Sequence, residues 1–294
     1  MWIIDAFLDY LQYERNYALG TVNNYRGDIR LFEQFVSQEL ADSTPAEVTT
    51  DMVREWVISL MDAGYASGTV NKMLSSLRSF YKYLLKEGQV RVDPMQKVKG
   101  PKKKKSLPVF LKEGEINRLL DEVDFGEGYK GCRNHLIIEM FYVTGMRRAE
   151  LIGLNDVDVD FSASVIKVTG KRNKQRLIPF DEALRISMNS YLTVRNEAIP
   201  ARSEAFFVRE NGERLTANIV EYLVRQNLSK VVTQKKRGPH VLRHTFATAM
   251  LNNEAELGAV KELLGHESLT TTEIYTHTTF EELKKVYNQA HPRA

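Results

Sequence analysis

The sequence predicts a mainly α-helical protein with one small antiparallel β-sheet, divided into a helical N-terminal bundle and an α+β C-terminal domain. Three observations carry this. Apolar residues recur at helical spacing through residues 1 to about 100; a stretch rich in proline, glycine and lysine then breaks the pattern; and between 157 and 180 the spacing shifts to alternation. The length of 294 residues agrees with two domains at about 150 residues each. The boundaries read as 1–99 for the bundle, 100–108 for a basic linker and 109–294 for the second domain.

In the bundle, a first helix runs from about Ile3 to Tyr13. After Thr21, Val22, Tyr25, Ile29, Phe32, Phe35 and Val36 line one face of a second. Thr50 is the expected cap of a third, with Val53, Val57, Leu60 and Met61 inward and Gly64 at its end. Ser67 or Thr69 opens a fourth, carrying Val70, Met73, Leu77, Phe80 and Leu84 and stopping near Gly88. The linker holds Gly100, Pro101, the run Lys102 to Lys105 and Pro108. Beyond it, helices are expected over Lys112 to Glu122 and Cys132 to Thr144. Strands follow at Val157 to Phe161, Val165 to Thr169 and Arg176 to Phe180, with Gly170 to Lys174 as a turn. Helices then resume to the end.

With 43% hydrophobic and 27% charged residues, the composition excludes collagenous and wholly disordered chains. No apolar run approaches the roughly 18 residues of a membrane span. Acids inside the N-terminal apolar stretch, Asp5 and Asp9, argue against a secretory signal. The single cysteine, Cys132, permits no intrachain disulfide and fits a reducing compartment. The expectation is a cytoplasmic protein without a membrane partner.

Net charge is 41 − 38 = +3, which says little; its distribution says more. Tyr222 to Asn253 contains no acid but holds Arg225, Lys230, Lys235, Lys236, Arg237 and Arg243. Lys167, Lys171, Arg172, Lys174 and Arg176 form a second acid-free cluster. Such clusters suit either a polyanion partner or a solvated basic face.

The sequence lacks GxxxxGK[ST], HExxH, CxxC and GxSxG signatures, so nucleotide hydrolysis and zinc chemistry are poorly supported. The remaining candidates are basic residues at element ends and one tyrosine. Arg147 follows Gly145 at a helix junction, where its planar fork suits a phosphate; the alternative is pairing with Glu150. Lys171 sits at the hairpin tip, able to donate a proton or merely to face solvent. His240 and Arg243 share a helix face after Gly238-Pro239, either addressing one anion or serving as a cap beside a surface arginine. Gly265 can end a helix and Ser268 cap the next, leaving His266 in the corner and Tyr275 beyond. A phenol has an ordinary pKa near about 10, so Tyr275 needs neighbouring cations or a proton acceptor to be a nucleophile.

In this order and at these spacings, Arg147, Lys171, His240, Arg243, His266 and Tyr275 resemble the catalytic set of the tyrosine recombinase (phage integrase) family, its Xer-like members in particular. The resemblance covers nearly the whole chain. It implies a core-DNA-binding N-terminal bundle and a catalytic C-terminal domain clamping double-stranded DNA from opposite sides. It further implies that Tyr275 attacks a scissile phosphate, leaving a 3′-phosphotyrosyl link and a free 5′-hydroxyl. Arg147 and Arg243 would bind the non-bridging oxygens, His240 assist, Lys171 protonate the leaving oxygen and His266 order the site. No metal, ATP or other cofactor is expected.

The same resemblance implies a homo- or hetero-tetramer on two DNA sites that exchanges strands through a Holliday junction, with a partner recombinase or DNA translocase as further partners. The expected role is chromosome dimer resolution. The alternatives are DNA inversion, mobile-element integration or excision, a relaxing topoisomerase, and a non-catalytic architectural DNA-binding protein. Two positions depart from the usual wording. Arg172 stands where many relatives have glycine, and Met146 where leucine is also common. Thr279 to Glu282 reads as a capping box for a last helix with Phe280, Leu283 and Tyr287 on one face. Relatives dock that helix on a neighbouring protomer; packing on its own domain is the alternative.

Overall fold

The computed structural model describes residues 2–40, 43–102, 109–170, 174–233, 237–265 and 280–293. The chain forms two compact units, Met1–Ser106 and Leu107–Ala294.

In the first unit, α1 (Ile4–Asp9) passes into a π-helical turn at Tyr10–Glu14, followed by α2 (Leu19–Glu39), α3 (Thr50–Asp62) and α4 (Ser67–Lys86). The spacing of Val22, Ile29, Phe32 and Val36 turns all four inward on α2, where they are buried. Val53, Trp56 and Leu60 do the same on α3, as do Val70, Leu77, Phe80 and Leu84 on α4. Aromatic rings fill the centre: Trp2 stacks on Phe80 at 5.8 Å, and Phe32 meets Trp56 at 4.9 Å. A buried hydrogen bond from Ser76 Oγ to Asp28 Oδ2, 2.7 Å, ties α4 to α2. The cap of α3 is Thr49, whose hydroxyl accepts from the Met52 amide at 3.3 Å, and not Thr50, which is already helical. Gly100 and Pro101 lie against α4, where Asn71 Nδ2 donates to the Pro101 carbonyl at 2.8 Å.

The second unit opens with α5 (Glu113–Asn117), which widens into a π-helical turn at Arg118–Glu122, so the expected single helix changes its hydrogen-bond pitch midway. Then come α6 (Gly128–Thr144) and α7 (Arg148–Gly153), the strands β1 (Val159–Asp160), β2 (Val165–Thr169) and β3 (Gln175–Pro179), and α8 (Glu182–Ala198). The order is completed by α9 (Ala217–Leu228), α10 (Pro239–Asn252), α11 (Leu257–Leu264) and α12 (Phe280–Ala290). Apolar residues almost all round α6, from Leu136 to Val143, make it the central helix, packed against α8 and α10.

The sheet is antiparallel in the order β1-β2-β3, pairing Val168 with Arg176 and Ile166 with Ile178. Ile166, Val168 and Ile178 are buried in the core. β1 is shorter than its alternation suggests. Asp156–Asp158 form a 3₁₀ turn instead, because the Asp158 carboxylate accepts from the Asn155 amide at 3.0 Å and satisfies the backbone locally. The third strand begins one residue before Arg176 and ends at Pro179, where Phe180 turns inward. Leu283, Tyr287 and Ala290 bury α12 in the core of its own unit, against α10, α11 and β3.

Candidate active site

The site grows from the end of α6. Gly145 closes that helix in the left-handed conformation, φ 59°, and a Cβ there would lie 2.5 Å from Phe246 and 2.9 Å from Leu264. Conformation and space therefore both require glycine. Two residues later Arg147 precedes the first turn of α7, and Glu150 reaches back to it. The Arg147 amide donates to Glu150 Oε2 at 2.7 Å, and Arg147 Nη1 to Oε1 at 2.8 Å.

Arg176, arriving on β3, takes the same carboxylate in a fork, Nη1 to Oε1 at 2.7 Å and Nη2 to Oε2 at 2.9 Å. Glu150 is 5% exposed. Burial works against its ionisation, but the hydrogen bonds and charge of Arg176 and the bonds from Arg147 outweigh that and hold its pKa below the ordinary range.

On α10, Pro239 occupies the first turn, His240 is exposed beside it, and Arg243 lies one turn further. Arg243 is buried rather than a surface residue. Its Nη1 donates to the Gly145 carbonyl and its Nη2 to the Leu264 carbonyl, both at 2.6 Å. Burial, then repulsion from Arg147 and Arg176, pushes its pKa down to about 10.

α11 ends at Gly265, φ 62°, and presents its last carbonyls to this cluster. Arg176 Nε takes Leu263 at 2.8 Å, Arg243 takes Leu264, and Arg147 Nη2 takes Gly265 at 2.5 Å. The last carbonyls of a helix lack intrahelical partners and sit at its negative end, so cations there contribute about 0.3–1 kcal/mol each. Three guanidinium groups and one carboxylate leave the cluster at 3 − 1 = +2.

Of the six residues expected from sequence, the structure brings Arg147 and Arg243 together and sets His240 on the exposed start of the helix that carries Arg243. Lys171 falls in 171–173, and His266, Ser268 and Tyr275 fall in 266–279; all lie outside the described residues, as does Arg172. Their chain neighbours are in the cluster. Gly170, whose amide donates to the Lys174 carbonyl at 2.7 Å to close the hairpin, would place a Cβ 3.5 Å from Glu150 Oε1 and 3.9 Å from Arg147 Nη1. Gly265 is bonded to Arg147 directly. Met146 is buried.

Arg176 and the α11 carbonyls were not expected here. Arg176 belongs by sequence to the acid-free cluster with Lys167, Lys171, Arg172 and Lys174, yet it shares the inward face of its strand with the buried Ile178, and an arginine at an inward position is the available signal. Of that cluster, Lys167 is ion-paired although the run itself holds no acid, its Nζ 3.7 Å from Asp158; outside both runs, Arg148 bonds Glu221 at 2.6 Å. Among the described residues no three His, Cys, Asp or Glu side chains gather as a metal site, and no helix is long and apolar enough to cross a membrane.

A helical bundle, a mainly helical unit with a three-stranded sheet, and three arginines, from the start of α7, from β3 and from α10, gathered on one carboxylate and the last carbonyls of α11 make a cationic cluster of the kind that enzymes of phosphodiester transfer use. The chain belongs to the phage integrase family, whose model matches residues 109–282, and with it to the tyrosine site-specific recombinases. The model of the phage integrase N-terminal SAM-like domain matches residues 4–88. The chain is 38% identical to the tyrosine recombinase XerC of Azotobacter vinelandii, over 99% of this chain and 96% of that one. It is 35% identical to the tyrosine recombinase XerC of Chlorobaculum tepidum, over 99% and 94%. Among solved structures, it resembles the XerH site-specific recombinase bound to its difH substrate in a pre-cleavage complex, with TM-score 0.70 and 25% identity over 96% of this chain and 83% of that one.

Proposed function

We propose that this recombinase resolves chromosome dimers, with Tyr275 as nucleophile and Arg147, Lys171, His240, Arg243 and His266 as the other catalytic groups. The observation that supports the catalytic assignment is the pairing of Arg147 and Arg243 in a cluster of net charge +2, pinned by main-chain carbonyls, and the role is supported by likeness to XerC recombinases along nearly the whole chain. Burial first, and then repulsion from Arg147 and Arg176, depress the Arg243 pKa, and a phosphodiester bound there would offset the repulsion.

In the proposed reaction, the Tyr275 oxygen bonds to phosphorus as the bond to the 5′-oxygen breaks. His240 accepts the phenolic proton and Lys171 protonates the departing 5′-oxygen. Arg147 and Arg243 stabilise the charge gathering on the non-bridging oxygens. The phosphotyrosyl link retains the energy of the broken ester, so the 5′-hydroxyl of another strand can reverse the step. Four protomers on two duplex sites, in a homo- or hetero-tetramer with a second recombinase, would complete the exchange in the cytoplasm. A bundle of residues 1–99, a basic linker 100–108 and a catalytic domain 109–294 remain our reading of the boundaries, supported by family-model matches over 4–88 and 109–282.

The test is a suicide assay in EDTA on nicked duplexes carrying sites that the protein itself selects from a random-sequence library, with Tyr275→Phe in parallel. A covalent adduct formed only by the parent protein is expected. Binding by both without an adduct from either would overturn the nucleophile assignment and favour an architectural role.

A further inference from the structure

We propose that Arg176 is a positioning residue for strand cleavage, holding Arg147 and the last turn of α11 in register through Glu150 and the Leu263 carbonyl. This rests on the reading of Arg147 and Tyr275 given above.

All three guanidinium nitrogens of Arg176 are engaged, two with the Glu150 oxygens and one with the Leu263 carbonyl, at 2.7 to 2.9 Å. Its side chain is 15% exposed, so its contacts are internal. Each segment it joins leads directly to a proposed catalytic residue. Its own strand closes the hairpin that bears Lys171, Glu150 orients Arg147, and Leu263 stands three residues before His266.

The fork also sets the charge of the pocket. Without Arg176, Glu150 would face Arg147 as a one-to-one ion pair and offset the charge meant for phosphate. With it, the carboxylate is shared and Arg147 keeps a net field toward the substrate. The fit is close. A Cβ on Gly265 would lie 3.1 Å from Arg176 Nη1 and 3.3 Å from its central carbon, so the left-handed glycine also clears the space against which the guanidinium packs. A lysine at 176 would keep the charge but, with one nitrogen, could not span two carboxylate oxygens and a carbonyl.

The experiment compares parent, Arg176→Lys, Arg176→Gln and the double variant Arg176→Gln/Glu150→Gln on the same nicked duplex. Single-turnover adduct formation at saturating duplex is measured per unit of protein competent to bind, and affinity separately by fluorescence anisotropy at fixed salt. Arg176→Lys should bind within about 3-fold of the parent while cleaving about 10- to 100-fold more slowly, the scale expected from misplacing a reacting group. The double variant should be no more than about 3-fold slower than Arg176→Gln, because the two residues act as one unit. Cleavage by Arg176→Lys at the parental rate would overturn the positioning role, as would a loss confined to affinity. In either case the parent still forms its adduct; absence of the parental adduct would instead overturn the underlying assignment of Tyr275.

Discussion

Arg147 Nη2 donates to the main-chain carbonyl of Gly265 at 2.5 Å, joining residues 118 positions apart in sequence. The start of α7 is thereby tied to the end of α11, immediately before the segment carrying His266 and Tyr275. A side chain proposed to bind phosphate is thus also a strut of the fold, and substitutions there should show in two measurements.

Arg243→Lys tests this on the deeper arginine. The replacement can reach the Gly145 carbonyl or the Leu264 carbonyl but not both in the same fork, leaving a buried acceptor unpaired at about 1–3 kcal/mol. Adduct formation should fall by about 10²–10³, the loss seen when one preorganised donor to a developing oxyanion is removed. Parental cleavage with a parental urea midpoint would sink both halves of the idea.

Gly145→Ala should lower stability by about 2–5 kcal/mol. Left-handed backbone costs a side chain roughly 1–2 kcal/mol, and forcing a methyl into a packed core about 1–3 more. Urea denaturation gives the number; a change under about 1 kcal/mol would mean that Phe246 and Leu264 yield more easily than their contact distances imply.

His291 makes stability depend on acid. It stacks on Tyr287 at 5.4 Å and on Phe246 at 5.5 Å, and burial, reinforced by Arg293, pushes its pKa down to about 4. An unfolded histidine titrates near about 6.5, so between those values the unfolded chain binds the extra proton and stability falls as pH falls, by at most about 3 kcal/mol. Glu139, whose pKa burial raises, works in the opposite direction. Urea midpoints from pH 7 to 4.5 should decline more steeply for the parent than for His291→Phe, and parallel curves would exclude His291 as the cause.

Trp56→Ala should cost the first unit about 3–5 kcal/mol, since the ring is 1% exposed and packs against Phe32. Trp2 and Trp56 are the chain's two tryptophans and both lie in that core, so the fluorescence of Trp2 follows the unfolding of this unit selectively. A midpoint unchanged by the substitution would show that the cavity collapses.

The helices of the first unit were legible because each carries one apolar face at regular spacing; Val22 through Val36 and Val70 through Leu84 leave few alternatives. β2 and β3 were legible from β-branched residues flanking a glycine turn. What escaped depended on single hydrogen bonds. Adjacent threonines compete to cap α3, and the Thr49 hydroxyl, accepting from the Met52 amide, decides it. Asp158 converts the first half of an alternating run into a turn. In the site, Arg147 and Arg243 could be placed from flanking glycine and proline, but their partners are main-chain carbonyls, which carry no residue signature. The sequence allows Arg147 as phosphate binder or as the partner of Glu150, and the ion pair is present while the other edge of the guanidinium turns to Gly265.

The final turn of α11 also acts as an internal anion for the arginine cluster. Three oxygens, from Leu263, Leu264 and Gly265, collect the three guanidinium groups much as the oxygens of a phosphate would. Like charges that would otherwise spread apart in water are therefore gathered by the fold itself. At the proposed phosphate site, shape is thereby set during folding, and little of the binding energy would be diverted to assembling it.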